Sequence, residues 1–146
     1  MNILVTGGTG YIGSHTVVEL QQKGYEVFII DNLSNSHAGV VESIEKISGK
    51  QPHFSKLDLC SREMLKDFFT RNSIDAVIHF AAFKSVNESV KEPLKYYRNN
   101  VLALINLMEF VAEFSVSHFI FSSSCTVYGE PDYIPVDEKH PVKQPS

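Results

Sequence analysis

A glycine-rich turn leaves this chain few folds to adopt. Gly7-Gly8-Thr9-Gly10-Tyr11-Ile12-Gly13 follows directly on the apolar run Ile3 to Thr6 and opens a segment whose apolar side includes Ile12, Val17 and Leu20. The motif reads as GxGxxG from Gly8 or as GxxGxxG from Gly7. Between a strand and a helix, glycines let the turn tighten and the backbone approach a pyrophosphate. The free N–H groups and the positive end of the helix dipole then favour its negative charge. A second apolar run, Glu26 to Ile30, ends on Asp31. A carboxylate there can accept hydrogen bonds from the adenosine ribose hydroxyls and would repel a 2′-phosphate, so the two features together predict a dinucleotide site preferring NAD to NADP. The competing reading makes Asp31 a turn former before Asn32.

Three further runs, His53 to Lys56, Ala76 to Phe80 and His118 to Ser122, are short and mostly continuous, as strands buried on both faces should be. Alternating with amphipathic segments, they predict an α/β protein with a Rossmann-type, doubly wound parallel sheet. Pro93 suits a first helical turn, and Tyr97, Val101, Leu104, Ile105, Met108 and Val111 then recur at helical spacing, which reads as a packing stripe. A second helix, roughly Ser61 to Thr70, carries Met64, Leu65, Phe68 and Phe69 on one side, while Ser36 to Lys50 is polar and ambiguous. From Glu130 on, Pro131, Pro135, Pro141 and Pro145 interrupt a polar tail. Residues 1–129 therefore form the expected NAD(P)-binding domain and 130–146 an extended, proline-rich surface segment.

Composition narrows the function. A net charge of -4 gives no general attraction to nucleic acid or an anionic membrane, so neither is an expected partner and a phosphate-bearing ligand needs a local site. Cys60 and Cys125 stand far apart and outside any metal-ligand spacing, so neither a disulfide framework nor a metal site is expected. The N-terminus shows no basic leader or long apolar stretch, and the expected location is the cytoplasm.

The stretches VTGGTGYIGSHTVVEL (Val5 to Leu20), DNLSNS (Asp31 to Ser36), Asp58, HFAAFKSVNES (His79 to Ser89), YYRNN (Tyr96 to Asn100) and FSSSCTVYG (Phe121 to Gly129) carry a family resemblance over nearly the whole chain. It resembles the N-terminal part of the UDP-glucose 4-epimerases, within the extended short-chain dehydrogenase/reductase superfamily. The glycine motif is shared across that superfamily, whereas DNLSNS, Lys84 and FSSSxTVYG together are much narrower. Two departures stand out: Ala82-Phe83-Lys84-Ser85-Val86-Asn87 replaces the more usual Gly-Leu-Lys-Ala-Val-Gly, and Cys125 replaces the usual Ala.

The resemblance implies that Gly7, Gly10, Tyr11, Ile12 and Gly13 line the pyrophosphate, and that Asp31, Asn32, Asn35 and Ser36 hold the adenosine ribose and neighbouring phosphate. Asp58 and Leu59 would flank the adenine, and Phe80, Ala81 and Ala82 would form the floor. Lys84 would bridge cofactor hydroxyls and substrate phosphate, while Asn99 and Ser122 would touch the cofactor. Ser124 would be the catalytic hydroxyl that hydrogen-bonds the reacting sugar oxygen. Plainer readings stand beside these: Phe80 as core, Lys84 as a solvated lysine, Asn99 as an exposed helix residue and the serines as loop. A serine alone is a poor base. The family's base is a tyrosine in a Tyr-x-x-x-Lys pair, and no such pair occurs in these 146 residues, which end where it would be expected to follow. The implied activity is interconversion of UDP-galactose and UDP-glucose by NAD-dependent transient oxidation at C4, by a homodimer, with this chain the cofactor-binding part and inactive alone. The alternatives are a non-catalytic NAD-binding fragment or another superfamily enzyme on a sugar nucleotide. A 4,6-dehydratase loses ground because Cys125-Thr126 offers no acid for water elimination.

Overall fold

Residues 1–143 are described by a computed structural model of the chain. Five strands, β1 (Asn2–Thr6), β2 (Glu26–Asp31), β3 (His53–Lys56), β4 (Ala76–His79) and β5 (His118–Phe121), form one sheet in the order β3-β2-β1-β4-β5. Every pairing is parallel, and the fold is a Rossmann-like α/β fold. Thr6 is level with Ile30 and His79, and His79 with Phe121. Four strands thus end at one edge, and the chain leaves β1 for one side of the sheet and β4 for the other. A crevice opens at such a reversal.

Helices α1 (Tyr11–Gln22) and α2 (Gly39–Ser48) are joined by α3 (Arg62–Arg71), the short α4 (Val86–Lys91) and α5 (Pro93–Tyr96), a π-helical turn at Tyr97–Leu102 and α6 (Ala103–Glu113). The two-residue period of β1 explains why its run is continuously apolar. Ile3 and Val5 pack with Val17 of α1 and Ile44 of α2, while Leu4 between them packs with Leu65, Phe68 and Leu107 of α3 and α6 on the opposite side. Burying each such side chain is worth about 1.5–3 kcal/mol.

Several expectations change. The ambiguous region Ser36 to Lys50 contains α2, which buries Val41 and Ile44 and ends on Gly49 in the left-handed conformation, φ 77°. Met64 of α3 is 45% exposed, and the buried side is Leu65, Phe68 and Phe69. Ile12 is 49% exposed at the first turn of α1, leaving Val17 as the buried apolar residue of the expected side.

The packing stripe expected along the long helix is corrected most. Tyr97, Val101, Ile105 and Met108 are exposed, Leu104 is half-buried, and only Val111 of that set is buried. The sheet instead receives Ala103, Asn106, Leu107 and Phe110. The helix is apolar on two sides. Ala103 allows close approach, and the Asn106 amide donates to the carbonyls of Leu59 and Cys60 at 3.0 and 3.3 Å, which selects the inward side. The wider π turn just before α6 also breaks the register on which a single stripe depends.

The described part of the tail is not extended. It folds around His140, which is buried and accepts from the Asp132 N–H through Nε2 at 2.8 Å, while the Lys143 N–H returns to the Val127 carbonyl at 3.0 Å. Pro145 lies outside the described residues. Among the described residues no helix is long and apolar enough to cross a membrane, and no cluster of three or more His, Cys, Asp or Glu side chains is disposed to hold a metal ion.

Candidate functional site

The edge where β1, β2 and β4 end carries a cavity of about 370 Å³. Its floor is made by the glycine turn. Gly7 adopts φ +69°, and a Cβ there would stand 2.8 Å from the Ala81 nitrogen; one on Gly13 would stand 2.2 Å from the Gly7 carbonyl oxygen. Any side chain at either position would push the turn away from β4 or lift α1 off it. The turn is pinned by Gly7 N–H to the Ile30 carbonyl at 2.8 Å and by Gly10 N–H to the Gly7 carbonyl at 3.0 Å. Tyr11, Ile12 and Gly13 begin α1 on the cavity wall, where first-turn N–H groups have no intrahelical acceptor and can meet an anion.

At the end of β2 the Asp31 carboxylate joins two loops. Oδ2 accepts from the Thr9 N–H at 3.2 Å, and Oδ1 from the Leu33 N–H at 2.9 Å and the Ser36 hydroxyl at 3.3 Å. Thr9 and Ser36 are bonded through their hydroxyls at 2.7 Å. Asp31 is therefore a turn former as well as a cavity residue, and Leu33 takes the left-handed φ of 61° so that its N–H can reach it. Asn32 donates to Asp58 at 3.3 Å, linking the ends of β2 and β3, and Asp58 in turn accepts from the Cys60 N–H at 2.8 Å. Partial burial, then the charge of Asp58, pushes the Cys60 thiol up, so it stays protonated and donates to the Arg98 carbonyl at 3.4 Å.

The opposite wall comes from the loop after β4 and the π turn. Phe80, Ala81, Ala82, Lys84 and Asn99 line the cavity, with Asn35, Ser36 and Leu59 across from them. Beneath, His79 is 3% exposed and shares a 2.7 Å hydrogen bond between its Nδ1 and the Thr6 hydroxyl. Burial lowers its pKa to about 4, so this imidazole is neutral at ordinary pH and fastens β4 to β1 just under the glycine turn.

Of the residues singled out from the sequence, Ser122 and Ser124 are the two that do not line this cavity. The Ser122 N–H donates to the His79 carbonyl at 3.2 Å; Ser124 is exposed, caps a 3-10 turn at Cys125–Tyr128 and bonds the Thr126 hydroxyl at 2.8 Å. Ile30, Ser34, Leu57, Phe83, Ser85 and Ala103 line the cavity without having been singled out. Ser34 and Ser85 sit inside stretches already noted, whereas Leu57 and Ala103 carry no chemical signal apart from the fold.

The protein family described as GDP-mannose 4,6 dehydratase matches residues 4–146. The chain is 50% identical over 139 residues to UDP-glucose 4-epimerase of Yersinia enterocolitica, covering 95% of this chain and 41% of that protein. It is 50% identical over 142 residues to the Bacillus subtilis enzyme of that name, covering 97% and 42%. The chain thus spans about two fifths of the length of these relatives. A solved UDP-glucose 4-epimerase of Stenotrophomonas maltophila, with bound NAD and formylated UDP-arabinopyranose, is 48% identical with a TM-score of 0.92, covering 98% of this chain and 43% of that one. That of Bifidobacterium longum, in complex with NAD+ and UDP, is 41% identical with a TM-score of 0.93 and the same coverage.

Proposed function

This chain belongs to the GDP-mannose 4,6 dehydratase family, and from that premise we propose that it is the NAD-binding part of a UDP-glucose 4-epimerase, which interconverts UDP-galactose and UDP-glucose. The observation that carries the reading is the joining of the Gly7–Gly13 cradle, Asp31, Asp58 and Lys84 around one cavity. The residues fit the cofactor on structural grounds. The missing Cβ atoms of Gly7 and Gly13 leave the backbone within reach of a pyrophosphate, and Asp31 ends β2 while Asp58 follows the adjacent β3 by two residues, where ribose and adenine would lie. Bound NAD supplies reversible hydride acceptance at C4 of the sugar.

The chain's own work is to hold and orient. First-turn N–H groups of α1 take the pyrophosphate, Asp31 and Ser36 take the ribose hydroxyls, Asp58 accepts from the adenine amine, and Phe80 to Ala82 support the far end. Lys84 places a cation between cofactor hydroxyls and substrate phosphate. Asn99 completes the cofactor contacts of the cavity, while Ser122 and Ser124, which stand outside it, are the residues that the family resemblance assigns to the cofactor and to the sugar oxygen. The proton itself belongs to a Tyr-x-x-x-Lys pair in a longer chain, so this one alone does not epimerise. Reading the chain as a 4,6-dehydratase finds no acid after Ser124, where Cys125 and Thr126 stand.

Val86, Val90, Leu94, Tyr97, Val101, Ile105 and Met108, carried on α4, α5, the π turn and α6, are all more than two fifths exposed. This run of exposed apolar side chains supports these elements as the face on which two copies pair. The two unpaired cysteines suit a reduced cytoplasm. Titrating the chain with NAD, beside a Gly13→Val variant, tests the reading: wild type binds and the variant, with its turn pushed open, does not. Equal binding by both would remove the cradle from the site.

A further inference from the structure

Between the Phe80 N–H, bonded to the Thr6 carbonyl at 3.0 Å, and the Ser85 N–H, bonded to the Tyr96 hydroxyl at 3.1 Å, the chain runs without helix or strand and carries Lys84 on the cavity wall. Among the described residues, the backbone of that stretch makes only two hydrogen bonds in between, and both go to one side chain. Asn100 Oδ1 accepts from the Phe83 N–H at 2.9 Å and Nδ2 donates to the Phe83 carbonyl at 3.0 Å. A carboxamide bonding both backbone groups of one residue imitates a neighbouring strand. Its orientation is not free either, since only the oxygen can accept and only the nitrogen can donate.

The same oxygen accepts from Asn99 Nδ2 at 3.0 Å. That bond fixes the Asn99 amide and leaves its oxygen as the end without a protein donor among the described residues. Two consecutive asparagines serve one wall because they lie in the π turn Tyr97–Leu102, whose extra residue per turn changes which side chains face the loop.

We propose that Asn100 is a positioning residue for the cofactor crevice. It clamps Phe83 and so sets Lys84, and it turns the Asn99 oxygen outward as an acceptor for a ligand hydroxyl or amide N–H. The proposal rests on the NAD reading above. Asn100 does not itself line the cavity, so its effect is transmitted through its two neighbours.

The test compares the wild-type chain with Asn100→Leu, which removes every bond, and Asn100→Asp, which keeps the acceptor for Phe83 and Asn99 but loses the donor. The readouts are amide hydrogen exchange at Phe83 without NAD, and NAD affinity. Phe83 is protected in wild type and Asn100→Asp and exchanges freely in Asn100→Leu. NAD affinity falls about tenfold in Asn100→Leu and by less in Asn100→Asp, the scale of a lost pair of neutral hydrogen bonds. If Phe83 loses protection in Asn100→Leu while NAD affinity stays, Asn100 is architecture only and the proposal is overturned; it is equally overturned if affinity falls in Asn100→Leu with Phe83 protection unchanged. Should Asn100→Leu fail to fold, Asn100→Asp decides, and affinity equal to wild type overturns the proposal. If wild type shows the Asn100-dependent protection but binds no NAD, the NAD reading fails and takes the positioning role with it, leaving a loop clamp.

Discussion

Asp31 serves two purposes with one carboxylate. Its oxygens already accept from Thr9, Leu33 and Ser36, so it builds the rim of the crevice as well as facing the cavity in which the proposed ribose would lie. Replacing it with Ala removes the ribose acceptor and the repulsion of a 2′-phosphate together. NAD affinity should fall about ten- to a hundredfold, consistent with losing hydrogen bonds to a charged group, and discrimination against NADP should shrink. Parallel titrations with the two nucleotides check this, and an unchanged ratio would take Asp31 out of ribose selection. His79 predicts an acid limb. Its pKa is about 4 in the fold against the ordinary 6.5, so the unfolded chain binds the proton first. Stability is therefore fully present above pH 6.5 and falls as pH drops toward 4, by up to about 3 kcal/mol. Asn or Gln at this position would keep a partner for Thr6 without titrating. Urea midpoints of wild type and His79→Gln at pH 7 and pH 4.5 should converge or cross as pH falls, and parallel acid limbs would contradict the assignment.

Among the elements, α6 and the turns before it make the most specific claim about assembly. Val101 and Ile105 lie one helical turn apart on the exposed side, 46% and 49% exposed, and neither packs into the core on the sheet side. Val101→Glu with Ile105→Glu should leave the fold's circular dichroism intact and convert the proposed dimer to a monomer in sedimentation analysis. A species of unchanged mass would move the pairing face elsewhere. The same helix shows what could be read from the residues alone. The inner strands β1, β2 and β4 were legible because parallel strands covered on both faces are largely apolar, and each run lay within two residues of its strand. The edge strands are not so covered, β3 reading His-Phe-Ser-Lys and β5 leaving Ile120 and Phe121 exposed, which corrects the expectation of burial on both faces there. The glycine turn and Asp31 were legible because their chemistry depends on immediate neighbours. The inward side of α6 was not, since two apolar sides compete and the choice rests on Ala103 and Asn106 meeting a distant loop. Asn100 was hidden for a related reason: a side chain that substitutes for a strand leaves no periodic trace.

At the scale of the molecule, the crevice needs both halves of the sheet, but turnover needs more than the crevice. Ser124 is an exposed hydroxyl with Thr126 as its partner, and no Tyr-x-x-x-Lys pair stands in these residues to move a proton. General acid–base help is worth about 10²–10⁴-fold. Incubated with UDP-galactose and NAD, this chain should yield UDP-glucose at least about 10²-fold more slowly than a form extended to the length of its relatives; comparable rates would place the base within these residues. The strand order has a further bearing on how such a protein comes into being. Although β1 is the earliest strand in the sequence, it lies in the middle of the sheet, between β2 and β4. During synthesis it can pair with β2, and β2 with β3, once Lys56 has emerged, yet the other edge of β1 stays open until Ala76 to His79 follow. The nascent chain thus carries an unpaired central strand for the time taken to make some twenty residues. The glycine turn gains its opposite wall only after Asn99 and Asn100 have left the ribosome.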